Sequence, residues 1–302
     1  MRSITLAVDG PLHLADFGGH GRLMLLVHGL GGSHANWLSV GPVLAGRHRV
    51  LAVDLPGFGL SPAAGRRSTL PQSIRVLHRV VGEVGGRAIL VGNSMGGLAS
   101  LGLAAASSDH VAGLVMVSPA LPQPSRTFTL EALARQYLFL YVPAVATWRL
   151  RSTISKAGAE AVVRAVLRTC TVDLDRIDPE VLEAHVALEQ QRIAHPGWHE
   201  PLHDALGSLL RTLAERSTVQ RWISRVTVPT LLTHGECDRV VSVRASRAAA
   251  GLRPDWTFHE FEGVGHVPQL EAPAALVDVV DQWVERLPST ARVPAAAMSL
   301  AG

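Results

Sequence analysis

Short, unbroken apolar runs closed by Gly-rich turns punctuate the first third of the chain, at residues 23–28, 50–54 and 88–91. They are too short for buried helices and lack polar alternation, so they predict strands covered on both faces, the pattern of parallel pairing. The longer stretches 70–84 and 95–108 fit crossover helices, and 113–117 fits another strand. Ahead of them, 4–8 and 12–16 flank Asp9-Gly10-Pro11, a turn signature that predicts an opening antiparallel pair. The strand rhythm resumes at 230–233 and 256–261 and ends in a helix over about 272–287. The expected fold class is α/β, a mostly parallel, doubly wound sheet.

Between residues 118 and 228 the rhythm changes. Segments 130–141, 157–169, 179–193 and 201–216 have helical spacing, and no strand stands out. Ligands of open α/β sheets bind beyond the carboxyl ends of the strands, so an all-helical insertion reads as a cap over that edge. The expected organisation is a core of 1–121 and 226–288, a helical cap of 122–225, and an Ala- and Pro-rich flexible tail of 289–302.

Composition narrows the class. The 302 residues are 47% hydrophobic and 18% charged, which excludes a disordered chain. A net charge of +3, with Lys156 the only lysine and no like-charge block longer than Arg66-Arg67, leaves no nucleic-acid footprint. Cys170 and Cys237 are too few and too far apart for a disulfide framework and are expected to be free thiols. Residues 1–6 show no leader pattern, and the longest apolar run, 137–146, is about half a membrane span, so a cytoplasmic protein is expected.

The strongest chemical signal is Gly92-Asn93-Ser94-Met95-Gly96-Gly97. The bare spacing is weak in a chain with 28 Gly, but here it falls where a strand ends and a helix begins. A Ser forced into so sharp a turn needs small neighbours, and its hydroxyl then stands above the sheet as a nucleophile. Its candidate base is His266, in Gly263-Val264-Gly265-His266-Val267-Pro268. The candidate acid is Asp238, after the preceding strand, with Glu236 as the competitor nearer the strand. Ser94, Asp238 and His266 thus follow three strands in the order Ser, Asp, His. Backbone N–H groups of Met95 and Leu30, the latter in His28-Gly29-Leu30-Gly31-Gly32, are the candidate oxyanion hole. His28 reads as a brace for that turn. No Gly-Lys-Ser/Thr and no G-x-G-x-x-G occurs, so a nucleotide site is unsupported.

In this joint arrangement the sequence resembles the α/β-hydrolase superfamily with a helical cap, over about residues 20–120 and 228–287. The pieces that carry the resemblance are the 28–32 turn, Asp54-Leu55-Pro56-Gly57-Phe58-Gly59-Leu60-Ser61, the 92–97 turn, Asp238 and Gly265-His266. It implies a serine hydrolase of carboxylesterase or lipase type that needs no cofactor, with Asp54 and its turn as structural loop. The 92–97 turn is also similar to that of the carbon–carbon hydrolases of ring-cleavage products. There the residue after the catalytic His is usually Trp, where this chain has Val267, and Arg192 is the candidate for their cap arginine. A hydrolase-fold receptor is the alternative of another class.

His199-Glu200-Pro201-Leu202-His203 matches a zinc-protease pattern letter for letter. That pattern needs one continuous helix, whereas Pro201 suits a helix that starts there, so no metal is expected. Segment 126–168 carries a net +5 and the run 137–146, and 169–225 a net −3. The ordinary reading is an amphipathic helix packed on the core. The sharper one is an apolar substrate entrance lined by Phe139, Tyr141 and Trp148, with Trp37, Val240 and Val267 deeper in the pocket and arginines that favour weak contact with an anionic membrane surface. The expected partner is an apolar, ester-type small molecule.

Overall fold

A computed structural model describes residues 1–123 and 158–288. Among them eight strands form one sheet: β1 (Arg2–Ala7), β2 (Pro11–Gly18), β3 (Leu23–Val27), β4 (Arg49–Val53), β5 (Ala88–Asn93), β6 (Val111–Val117), β7 (Thr230–Gly235) and β8 (Thr257–Phe261). Their spatial order is β1-β2-β4-β3-β5-β6-β7-β8. β1, β2 and β4 pair antiparallel, and every pair from β4 to β8 is parallel. The chain runs from β3 out to β4 and returns to place β5 on the other side of β3. The sheet therefore changes winding direction between β3 and β5, and a crevice is expected at their carboxyl ends.

Every residue of β3 and β5 is buried, as the unbroken apolar runs require. Alternate residues feed opposite faces: Leu25 and Val27 join one core cluster, Met24 and Leu26 the other. Ten helices are described: α1 (Gly41–Leu44), α2 (Leu70–Val84), α3 (Met95–Ala106), α4 (158–170), α5 (Pro179–Ala194), α6 (Glu200–Ala214), α7 (Arg216–Arg225), α8 (Val243–Leu252), α9 (Pro268–Glu271) and α10 (Pro273–Glu285). The α2 helix buries Leu70, Ser73, Val76, Leu77, Val80 and Val81, a stripe at helical spacing. By contrast, α3 is buried from Met95 through Ala104, which suits its small, apolar sequence at the centre of the first cluster.

One helix boundary differs from the sequence reading. The helix expected over about 272–287 is α10, and the separate α9 stops before it because Pro273 has no N–H to continue that turn. The helix expected over 201–216 ends at Ala214, and α7 starts at Arg216. Between β6 and β7 the described residues form helices and short turns, with no strand among them. A third apolar cluster, Leu167, Ile177, Val181, Leu182, Val267 and Leu270, ties these helices to the turn after β8. Phe139, Tyr141, Trp148 and the 289–302 segment lie outside the described residues. No described helix is long and apolar enough to cross a membrane. Both cysteines are free.

Candidate active site

Ser94 follows β5 directly and opens α3 with φ 54° and ψ −118°, a left-handed backbone in which a non-glycine residue is strained. Its N–H donates to Val117 O at 3.0 Å, and its carbonyl accepts from Leu98 and Ala120 N–H, each at 3.1 Å. The glycines make the turn sterically feasible. A Cβ at Gly92 would come within 2.5 Å of Gly96 O, and one at Gly96 within 2.3 Å of Val27 O. The 28–32 turn arrives alongside: a Cβ on Gly29 would stand 3.1 Å from Ser94 Cβ. Leu30, half-buried, and Met95, fully buried, occupy the two turns that meet here at the β3/β5 switch point.

His28 bridges these turns to the next. Its Nδ1–H donates to Gly29 O at 2.7 Å and its Nε2 accepts from Leu55 N–H at 3.0 Å, so both nitrogens are used. Burial pushes its pKa down and keeps the ring neutral.

His266 is held by its backbone as much as by its ring. Its N–H donates to Cys170 O at 2.6 Å, and its carbonyl accepts from Asn93 Nδ2 at 3.2 Å. Asn93 also donates to Val117 O, so the residue beside Ser94 pins the His266 turn against the end of β5. On the ring, Nδ1 lies 2.7 Å from Asp238 Oδ2. Asp238 Oδ1 accepts from Val240 and Val241 N–H at 2.7 and 2.9 Å, and His234 Nε2 stands 3.0 Å from Oδ2. Burial alone would raise the Asp238 pKa, but the His266 charge and the bonds from His234 and His266 hold it well below the ordinary carboxylate range. Glu236 is exposed and accepts from Gly263 N–H instead, so the carboxylate on His266 is that of Asp238.

Glu271, with its side chain fully enclosed, accepts from Gly265 N–H at 2.7 Å and from Val172 and Asp173 N–H at 2.8 and 3.1 Å. It joins the His266 turn to the segment after α4. Asn93, His234 and Glu271 were not singled out from sequence. A polar residue inside the glycine turn and a Glu five positions after His266 were the available signals.

The expected pocket residues divide. Val240 is half-buried beside Asp238, and Val267 packs with the α4–α5 helices. Trp37 is completely inaccessible and belongs with Met24, Leu26 and Val50 to the apolar cluster on one face of the sheet. Arg192 forks onto Glu189 through Nε and Nη2 at 2.8 and 2.6 Å and covers the Trp198 ring at 4.6 Å, while its Nη1 is enclosed with no hydrogen-bond partner among the described residues.

Asp54 is another buried hub. Its Oδ2 accepts from His13 Nδ1 and His34 Nδ1, each at 2.8 Å, and from Leu60 N–H at 2.9 Å, while Oδ1 accepts from His34 N–H at 2.6 Å. These are hydrogen-bond separations, and the cluster braces β2, the His34–Trp37 turn and the 54–61 loop. Among the described residues it is also the three-residue grouping with metal-ligating atom types. His199 precedes α6 and His203 lies one turn on, with ring centroids 5.5 Å apart. Pro201 and Leu202 from the start of α6 rest against Gly57 and Gly31, so this helix end packs on the two turns beside Ser94.

The sequence profile described as "Alpha/beta hydrolase family" matches residues 24–279. The chain is 25% identical over 285 residues to a 2-hydroxy-6-oxo-6-(2'-aminophenyl)hexa-2,4-dienoic acid hydrolase of Metapseudomonas resinovorans, covering 92% of this chain and 89% of that protein. It is 26% identical over 270 residues to a pimeloyl-[acyl-carrier protein] methyl ester esterase of Xanthomonas axonopodis pv. citri, covering 89% and 98%. Among solved structures, a membrane phospholipase A described as a bacterial virulence factor superposes with a TM-score of 0.74 at 23% identity, covering 96% of this chain and 87% of that one.

Proposed function

The chain belongs to the α/β-hydrolase family, and on that premise we propose that it is a serine hydrolase of apolar, ester-type small molecules. The observation that carries this reading is the strained Ser94 at the end of β5, whose neighbour Asn93 pins the turn of His266, an imidazole bonded to a buried carboxylate. In the proposed reaction His266 Nε2 takes the Ser94 proton as Oγ attacks the acyl carbon. The N–H groups of Leu30 and Met95 receive the oxyanion, the latter helped by the N-terminal dipole of α3. His266 then protonates the leaving alcohol and activates the water that releases the acid from Ser94. Asp238 fixes Nδ1–H as the proton pointing away from Ser94 and stabilises the imidazolium.

The 122–225 segment is proposed as the cap that gives the substrate its apolar surroundings. The esterase relative, aligned over almost its whole length, supports this assignment. Carbon–carbon cleavage of a dienoate is the second reading, favoured by the dienoate hydrolase relative. Against it, the residue after His266 is Val267, and Arg192 already spends Nε and Nη2 on Glu189, which leaves only Nη1 unpartnered among the described residues.

A fluorophosphonate should add covalently at Ser94, and Ser94→Ala should lose about 10³-fold or more in turnover while folding normally. Near-normal turnover by that variant would reject the reading. A panel of p-nitrophenyl esters run beside a dienoate ring-cleavage product ranks the two chemistries. Fast dienoate cleavage with poor ester hydrolysis would reverse the order.

A further inference from the structure

His266 is not the only imidazole on Asp238. His234, the fifth residue of β7, is completely buried, and its Nε2 stands 3.0 Å from the same Oδ2 that holds His266. That nitrogen also lies 2.9 Å from Val241 O. Both neighbours of Nε2 are acceptors, so Nε2 must carry a proton. On the far side of the ring, Nδ1 is 2.8 Å from Ser246 Oγ, a fully buried hydroxyl on α8. In the neutral ring Nδ1 accepts the Ser246 proton, and the tautomer is set by contacts alone.

We propose that His234 is a positioning residue for catalysis: its Nε2–H, fixed through Ser246, shares Asp238 Oδ2 with His266 and so sets both the carboxylate's orientation and its pull on the His266 proton. The inference rests on the serine-hydrolase reading. A carboxylate oxygen that accepts two N–H bonds is a weaker acceptor towards each than one that accepts a single bond. Withdrawing the His234 donor therefore strengthens the attraction of Asp238 for the imidazolium form of His266. That moves the titration of the base upward. The same loss removes one of the four contacts that fix the carboxylate plane, and the imidazole loses alignment with Ser94.

The other groups around this pair are few. Cys170 faces it from the end of α4, with its thiol pushed up to about 12 by burial and by the Asp238 charge, so it stays protonated. Glu271 reaches the turn from α9 through Gly265 N–H and is paired with Arg176 at 3.5 Å. Glu236 and Arg239 are exposed on the Asp238 loop itself.

The test compares three variants by the pH dependence of kcat/KM, which reports the free enzyme's base. His234→Phe removes both ring contacts. His234→Asn keeps a polar group near Ser246 but is too short for Asp238. His234→Gln places an amide N–H near the former Nε2. In the Phe and Asn variants the acid limb should move up by about half a pH unit or more, and kcat should fall about ten-fold with KM within about two-fold. The Gln variant should keep the native limb and most of kcat. If Phe prevents folding, the Asn–Gln pair carries the comparison. An unmoved acid limb in the Asn variant, or a Gln variant shifted as far as Asn, overturns the role of His234. Fluorophosphonate labelling of Ser94 in the native enzyme separates the two levels. Labelling with an unmoved limb rejects His234 alone, whereas no labelling rejects the hydrolase reading beneath it.

Discussion

Two buried aspartates in this protein have nearly the same surroundings and connect to different parts of the fold. Asp54 and Asp238 each follow a strand, β4 and β7, each within the turns at the carboxyl edge of the sheet. On each, Oδ2 faces two imidazoles while Oδ1 takes backbone N–H bonds, one at Asp54 and two at Asp238. Burial alone would raise the pKa of both, and in both the neighbouring imidazoles reverse the shift. What differs is where the histidines lead. His13 spends its other nitrogen on Ser3 Oγ at 3.0 Å, and His34 is anchored to Asp54 by its own backbone. His266 instead sits on a turn pinned by Asn93 to the strained serine. On the proposed serine-hydrolase reading, a carboxylate–imidazole pair is a brace or a piece of catalytic machinery according to what lies beyond the imidazole.

The sharpest way to break the comparison is to neutralise each carboxylate. Asp238→Asn should cost about 10⁴-fold in kcat, because it favours the wrong imidazole tautomer, in addition to a stability loss of the kind expected at Asp54. Asp54→Asn should cost stability alone. An amide there keeps one acceptor oxygen but turns its NH2 towards either the single donor at Oδ1 or the three donors at Oδ2, and a loss of about 2–4 kcal/mol in denaturant unfolding is expected. Kinetics of the folded fraction should then stay within a few-fold. Equal kinetic damage at both sites would erase the distinction. Glu236→Gln, which touches neither hub, should leave kcat nearly unchanged. A loss comparable to that of Asp238→Asn would move the acid to Glu236.

A smaller effect separates the hubs from the isolated histidines. Both carboxylates have lowered folded pKa values, so their contribution is complete above the unfolded value of about 4 and is lost as pH falls below it. His185 on α5 behaves differently. Its Nε2 is enclosed without a partner, and burial followed by the nearby His34 pushes its pKa down to about 4. Its contribution is complete above about pH 6.5 and is lost as pH falls from there to about 4. His185→Gln should flatten the stability curve between pH 6.5 and 4 and leave the steeper fall below pH 4 to the aspartates. An unchanged slope in the upper window would show that His185 is not the group that titrates there.

The smallest expected effects concern Phe139 and Trp148. If Phe139 and Trp148 line an apolar entrance, Phe139→Ala and Trp148→Ala should impair long-chain or aryl esters more than acetates. The native protein should also bind anionic vesicles in a salt-sensitive way. Equal losses on all substrates with no vesicle binding at low salt would favour plain packing.

The central strands β3 and β5 are legible in the chain because a strand covered on both faces must be apolar throughout, whereas the more exposed β1 is marked by the Asp9-Gly10-Pro11 turn that follows it. The strained serine is legible for a related reason. Gly92 and Gly96 are demanded by main-chain atoms 2.3–2.5 Å from any Cβ, so a steric requirement is written directly as residue type. Roles that depend on long-range meetings left weaker marks. Nothing near His234 indicates that its ring will share an oxygen with His266, 32 positions away, and nothing near Trp37 indicates which apolar cluster its ring will join. Local sequence determines what a segment can become, since backbone sterics and burial act on neighbouring residues. Only the tertiary structure decided that two imidazoles share one oxygen of Asp238 and that the His266 turn is pinned beside Ser94 through Asn93, because these meetings depend on the winding of the sheet, which brings β3, β5, β7 and β8 to one edge.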